Sequence, residues 1–313
     1  VNQFRDRGSP DAGSDRRLAE FSWGPPENFL GLPPEESSFR AARVVILPVP
    51  YEATVSWGGG TRFGPRVLLH ASRFVELYDH ELDTEPYKVG IHTLPELLLS
   101  AAGPGTALEE LRQVVEILLD AGKFVILLGG EHSVSAPPIL AHAERLKPEM
   151  LSVLQLDAHA DLRPEYEGTP YSHASVMYRV HRKARLVAVG IRSLTAEERD
   201  LMRREKIPVV FGHELGEPDW IDRVIQSLGP HVYITIDVDF FDPSVMPATG
   251  TPEPGGGTWQ PTLALLERVF RERRVVGCDV VELAPIPGQR HPDFLAAKLV
   301  YKLVGFYAAC RER

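Results

Sequence analysis

The chain has 313 residues, 43% hydrophobic and 25% charged, which excludes a disordered or fibrous protein and fits one large globular α/β domain. A net charge of -9 argues against nucleic acid or an anionic membrane as partner and suits a small cationic substrate. Only Cys278 and Cys310 are cysteines, too few and too distant for a thiolate zinc site, and their apolar or helical contexts predict buried thiols rather than a disulfide. No apolar run reaches the ~18–20 residues that span a bilayer. The first residues mix arginines with acids and show no apolar signal region, so a cytoplasmic protein is expected.

Residues 1–40, rich in charge, Pro and Gly, read as an N-terminal arm with apolar anchors around Phe29-Leu30-Gly31-Leu32, and 41–313 as a single domain. Val44–Val49 is the first predicted strand. The loop Trp57-Gly58-Gly59-Gly60-Thr61-Arg62-Phe63-Gly64-Pro65 lacks the Gly-Lys-Ser/Thr ending of a phosphate cradle and the GxGxxG spacing, so its glycines serve a tight turn or a close approach to a pocket. Pro65 starts a helix to about Phe74. Val89–Leu94 reads as a strand near an edge. Thr106–Asp120 is a helix burying Leu108, Leu111, Val115 and Leu118, ended by Gly122. Phe124–Leu128, apolar throughout, has the pattern of a parallel strand covered on both faces. Further strands are predicted at 151–156, 184–191, 207–211, 232–236 and 275–283. Helices are predicted at 133–146, 172–182, 195–205 (with a Thr195/Glu198 capping box), 219–228, 261–271 and 294–310. About eight strands alternating with helices predict a three-layer α/β/α fold around a central, mainly parallel sheet.

Three polar clusters close predicted strands: Gly129-Gly130-Glu131-His132, Asp157-Ala158-His159-Ala160-Asp161 and Asp237-Val238-Asp239. Parallel sheets bind ligands beyond the carboxyl ends of their strands, where these clusters and Glu282 lie. Carboxylates mixed with imidazoles suit Mn²⁺, Fe²⁺ or Zn²⁺. Two imidazoles and four carboxylates are more than one catalytic ion with an open position needs, whereas two ions sharing bridging carboxylates use them all.

The motifs Gly129-Gly130-Glu131-His132-Ser133, Asp157-Ala158-His159-Ala160-Asp161 and Ile236-Asp237-Val238-Asp239-Phe240-Phe241-Asp242-Pro243 resemble the three signatures of the ureohydrolases, the arginase and agmatinase family. Gly60–Pro65, Tyr171–Ala174, Val189–Ser193 and Thr249–Gly256 extend an agmatinase-like resemblance over roughly residues 28–310. It implies the arginase-like fold and a hydrolase with two Mn²⁺ per subunit. His132, Asp157, Asp161 and Asp237 are implied ligands of one ion and Asp157, His159, Asp237 and Asp239 of the other, with a bridging hydroxide, oriented by Asp161, attacking the guanidinium carbon. Glu282 is implied to grip the guanidinium and His173 to pass a proton to the leaving amine.

Glu131 stands where many relatives carry Asp and is expected to have a supporting role. Ala174 replaces the glycine of arginases, and Met246-Pro247-Ala248 the commoner Ala-Pro-Gly; both bear on substrate fit. The loop Arg163–Gly168 does not resemble the arginase site for an α-carboxylate. Agmatine hydrolysis to putrescine and urea, a step of polyamine biosynthesis, is therefore the first expectation. N1-aminopropylagmatine, giving spermidine, is the second. Guanidinobutyrate or formiminoglutamate would need a cation such as Arg163. A non-catalytic metal-binding relative would not need His173 and Glu282, and a dinuclear phosphoesterase would need cationic grips that these acidic loops lack. The resemblance further implies a homotrimer or homohexamer.

Overall fold

A computed structural model describes residues 24–146 and 150–310. Eight strands, β1 (Val44–Val49), β2 (Ile91–Thr93), β3 (Phe124–Gly129), β4 (Leu151–Leu156), β5 (Arg185–Ile191), β6 (Val209–Phe211), β7 (His231–Asp237) and β8 (Arg274–Val281), form one sheet. Its order is β2-β1-β3-β8-β7-β4-β5-β6, and every neighbouring pair is parallel. The helices are α1 (Gly64–Ser72), α2 (Pro104–Asp120), α3 (Ala136–Arg145), α4 (Val176–Val180), α5 (Ala196–Arg204), α6 (Trp220–Ser227), α7 (Trp259–Glu272) and α8 (His291–Ala309).

The uninterrupted apolar strands follow from this layering. Side chains alternate across a strand, so both registers must find a core. Ile126, Leu128, Leu154, Leu156, Ile234 and Ile236 pack under α1, α6, α7 and α8, with Leu68, Val224, Leu266 and Val300. On the opposite face, Val45, Leu47, Val125 and Leu127 meet Leu111 and Val115 of α2. There too, Val153, Leu186 and Ala188 meet Ile139 of α3, Met177 of α4 and Met202 of α5. The three-layer α/β/α expectation is met, with β2 and β6 at the edges.

Several boundaries differ for identifiable reasons. The helix expected over 172–182 is a 3₁₀ turn, His173–Ser175, followed by the short α4. The Met177 and Tyr178 N–H groups bond the Asp161 carbonyl at 3.0 and 3.1 Å, so helix-start donors hold the metal-motif loop instead of continuing the helix upstream. The helix expected from Ser133 likewise opens with a 3₁₀ turn, His132–Ser135. The last strand stops at Val281 because Glu282 adopts φ +65°, turning its side chain away from the sheet's alternation. Of the arm, residues 1–23 lie outside the described residues; the anchors Phe29, Leu30 and Leu32 are buried in the main core. Cys278 is buried as expected, whereas Cys310, just beyond α8, is exposed. No helix among the described residues is long and apolar enough to cross a membrane.

Candidate active site

The four central strands, adjacent in the order β3-β8-β7-β4, supply the polar clusters from their carboxyl ends. Gly130 is essential to this convergence: a Cβ there would stand 2.0 Å from the Tyr51 carbonyl oxygen, so only glycine lets the chain pass to Glu131 and His132. His132 Nδ1 lies 3.1 Å from Asp157 Oδ2, 3.0 Å from Asp161 Oδ2 and 3.5 Å from Asp237 Oδ2. His159 Nδ1 lies 2.8 Å from Asp239 Oδ2 and 3.8 Å from Asp157 Oδ1. Two groups of converging donors result, His132/Asp157/Asp237 and Asp157/His159/Asp239, each spanning no more than 4.8 Å. Asp157 belongs to both and Asp237 to the first, while Asp161 stands beside the first through His132.

Buried partners aim these donors. Thr235 Oγ1 donates to Asp279 Oδ1 at 2.6 Å and therefore accepts His132 Nε2–H at 2.9 Å. The ring's other nitrogen, Nδ1, is thereby aimed at three carboxylates, and against the effect of burial Asp157 and Asp161 hold the imidazole's pKa well above its ordinary value, so Nδ1 binds a proton where a metal would replace it. Gln155 Nε2 donates to Asp157 Oδ2 at 2.9 Å and to the His159 carbonyl at 3.0 Å. Asp157 accepts from His159 N, Asp237 from Asp239 N, and Asp239 from Ala158 N, at 2.6, 2.9 and 3.0 Å. Arg192 Nη2 caps the Asp239 and Glu253 carbonyls at 2.7 and 2.9 Å. Glu198 closes the expected capping box on Thr195 and also holds Leu162 N at 2.9 Å, so the same carboxylate starts α5 and ties down the loop after Asp161.

None of these partners was singled out as functional from sequence. The signal open to sequence reading was modest: Gln155 and Thr235 precede Asp157 and Asp237 by two residues, on the same strand face, in otherwise apolar runs. Nothing local marks Asp279 as the partner of Thr235.

The electrostatics call for cations. Burial, then the neighbouring Asp161 and Asp239, push Asp157 up to about 7. Burial and Asp239 raise Asp237. Burial works against a charged His159, but Asp239 beside it wins and lifts its pKa to about 10. A donor set that binds protons this avidly fits divalent metal, which replaces them. The signs agree. Asp157 binds more protons folded than unfolded between its ordinary 3.8 and about 7, so stability from it falls as pH rises through that window. His159 adds stability below 6.5 that is lost as pH rises toward about 10. Chelator-treated protein is therefore expected to melt at a lower temperature at pH 8 than at pH 5.5, with Mn²⁺ restoring the loss at pH 8. A melting temperature equal at both pH values, or unmoved by Mn²⁺, would contradict this reading of the cluster.

His132, His159, Asp161, Asp237 and Asp239 line a cavity of about 340 Å³, within the usual range for small-molecule sites. Glu282, His173, Arg163, Tyr166, Trp57, Glu198 and Glu253 also line it. Glu282 is buried, and its Oε1 accepts His132 N at 2.7 Å. His173 Nδ1 lies 3.2 Å from both Thr54 Oγ1 and Ser172 Oγ, and Nε2 lies 2.9 Å from Ser56 Oγ. Arg163 rests on the Tyr166 ring, 4.8 Å from its centroid, and Trp57 at the rim is 85% exposed. Glu165 and Glu167 face solvent. Ala174 also lines the cavity, whereas Met246 and Ala248 are fully buried, with the Ala248 carbonyl accepting Ala284 N at 3.0 Å behind Glu282. Of the predicted site residues, His132, His159, Asp161, His173, Asp237, Asp239 and Glu282 line this cavity, while Asp157 is fully buried beside His132 and is not part of the lining.

A parallel α/β sheet whose central strand ends gather acids and imidazoles around a small cavity marks an enzyme site able to hold divalent metal. The arginase family profile matches residues 42–305, and the chain belongs to the arginase family, in its agmatinase-like ureohydrolase branch. An N(1)-aminopropylagmatine ureohydrolase of Thermus thermophilus is 42% identical over 275 residues, covering 87% of this chain and 92% of that protein. The corresponding protein of Synechocystis is 39% identical, over 88% and 93%. An agmatinase of Pyrococcus horikoshii is 34% identical, over 86% and 93%. Among solved structures, the agmatine ureohydrolase of Thermoplasma volcanium superposes with a TM-score of 0.83 at 26% identity, covering 96% of this chain and 99% of that one.

Proposed function

We propose that the protein hydrolyses N1-aminopropylagmatine to spermidine and urea, using two Mn²⁺ ions. The convergence of His132, Asp157, Asp161 and Asp237 beside His159 and Asp239, with the buried Glu282 lining the cavity next to them, carries the guanidino-hydrolase reading. In this reading His132, Asp157, Asp161 and Asp237 hold one ion, and Asp157, His159, Asp237 and Asp239 the other. Bound there, the ions supply the Lewis acidity that makes water nucleophilic near neutral pH. The chain's residues do the rest. Glu282 pairs with the planar guanidinium through charge-assisted hydrogen bonds and presents its carbon. Asp161 orients the attacking water. His173 protonates the leaving nitrogen, so that a neutral amine departs.

The longer substrate is favoured over agmatine by the relatives that carry its name, three at 39–42% identity and a fourth at 35%, against 34–36% for the agmatinases. Agmatine is the second reading, supported by those agmatinases and by the Thermoplasma superposition. Acid-bearing guanidino substrates are disfavoured, because Glu198, Glu253 and Glu282 line the cavity with Arg163 as its one arginine among the described residues. The test is urea release from agmatine, N1-aminopropylagmatine, guanidinobutyrate and arginine, compared by kcat/KM with added Mn²⁺. Preference for N1-aminopropylagmatine is expected. Preference for agmatine establishes the second reading, and no urea from any of them overturns both. The same reading takes the protein as a cytoplasmic homotrimer or homohexamer, checked by light scattering.

A further inference from the structure

We infer that Glu131 and Thr54 are positioning residues that fix the proton of His173 on Nδ1, leaving Nε2 as the atom that carries the transferred proton. This rests on the proton-donor role given to His173 above. Glu131 is completely buried, and its carboxylate is fully engaged. Oε2 accepts Ala53 N and Thr54 N, both at 2.6 Å, and Oε1 accepts Thr54 Oγ1 at 2.8 Å and Ser133 Oγ at 2.6 Å. A buried carboxylate with four donors clamps the loop leaving β1 against the end of β3.

The proton count follows. The Thr54 hydroxyl has one hydrogen, and it goes to Glu131, the charged and closer acceptor. Toward His173 its oxygen can then only accept. It does so from His173 N at 3.1 Å and faces Nδ1 at 3.2 Å. Two lone pairs facing each other would repel, so Nδ1 carries the hydrogen. Ser172 Oγ, also 3.2 Å from Nδ1, accepts Ala174 N at 3.3 Å and has a second lone pair with which it can accept from Nδ1–H as well. Nε2 is left facing Ser56 Oγ at 2.9 Å on the cavity side. Its lone pair takes the proton that the attacking water gives up and passes it to the leaving amine, while Nδ1–H stays on Thr54 throughout. The Glu131-for-Asp departure acquires a function in this arrangement, since its carboxylate reaches both the 53–54 backbone and the hydroxyl that sets the tautomer.

Thr54→Val keeps the shape and removes the acceptor, and Thr54→Ser keeps the hydroxyl. With Mn²⁺-loaded protein, Thr54→Val is expected to lower kcat roughly 10- to 100-fold, within the span of a misplaced acid–base group, with KM and bound metal unchanged. Thr54→Ser is expected to stay within about threefold of the parent. A Thr54→Val enzyme with parental kcat, or a Thr54→Ser enzyme equally impaired, overturns the assignment. Neutron diffraction of the parent protein at about pH 9, well above an ordinary imidazole pKa of ~6.5, reads the tautomer without turnover. A deuteron on Nδ1 is expected, and one on Nε2 alone overturns the inference. Because diffraction does not need a substrate, an enzyme that releases no urea would sink the proposed function and leave the tautomer result standing.

Discussion

Asp239→Ala is expected to bind fewer than two Mn²⁺ per chain and to lose kcat by at least about 10²–10³-fold, the scale of removing one electrostatic contact at a reacting centre. Asp239 does three things at once. Its Oδ2 stands 2.8 Å from His159 Nδ1, its Oδ1 accepts Ala158 N at 3.0 Å, and its charge helps to raise Asp157 and Asp237. Removing it frees His159 to swing and orphans a buried N–H, but also relieves repulsion among the remaining carboxylates. The variant should therefore fold, and its metal-free form should lose less stability between pH 5.5 and pH 8 than the parent's. Metal analysis after gel filtration, with urea release, checks both parts. Two tightly bound ions together with parental turnover would contradict the placement of Asp239 in the metal site.

Glu282→Gln is expected to reduce kcat/KM by about 2–5 kcal/mol, roughly 30- to several thousand-fold, as when one partner of a buried charge pair is neutralised. Gln is the informative replacement. Its amide oxygen can still accept His132 N, the bond Glu282 makes at 2.7 Å, so the turn between β3 and β8 is kept. Only the negative charge offered to the guanidinium is lost. Metal content should stay at the parental value. A variant that lost metal instead would assign Glu282 to holding His132 rather than substrate, and a variant with unchanged kcat/KM would remove it from recognition altogether.

Much of this was legible in the chain because the signals are local. Val44–Val49 and Phe124–Gly129 are apolar at every position, and that pattern alone implies a sheet covered on both faces. The change from Leu156 to Asp157 marks a strand end, and the alternation Asp157, His159, Asp161 marks donors that can converge. The misreadings fall where long-range bonds override local preference. The segment 172–182 has a helical pattern, yet the Met177 and Tyr178 N–H groups are spent on the Asp161 carbonyl and the α-helix starts only at Val176. Glu282 looks like the continuation of a strand, yet a left-handed backbone turns it toward His132.

Sequence alone determined the layered α/β architecture, the strand-end location of the site and the residues able to bind metal, because periodicity and residue chemistry act over a few positions. Tertiary structure alone decided the strand order that makes β3, β8, β7 and β4 neighbours, and with it the meeting of His132 and Asp157. It also decided which nitrogen of His132 faces the carboxylates, through Thr235 and Asp279, and which hydroxyls hold His173, through Thr54 and Glu131. These bonds join residues 44 to 119 positions apart. A hydrogen bond needs its partners within about 3 Å and correctly aimed, and only the folded sheet brings such distant groups to that distance.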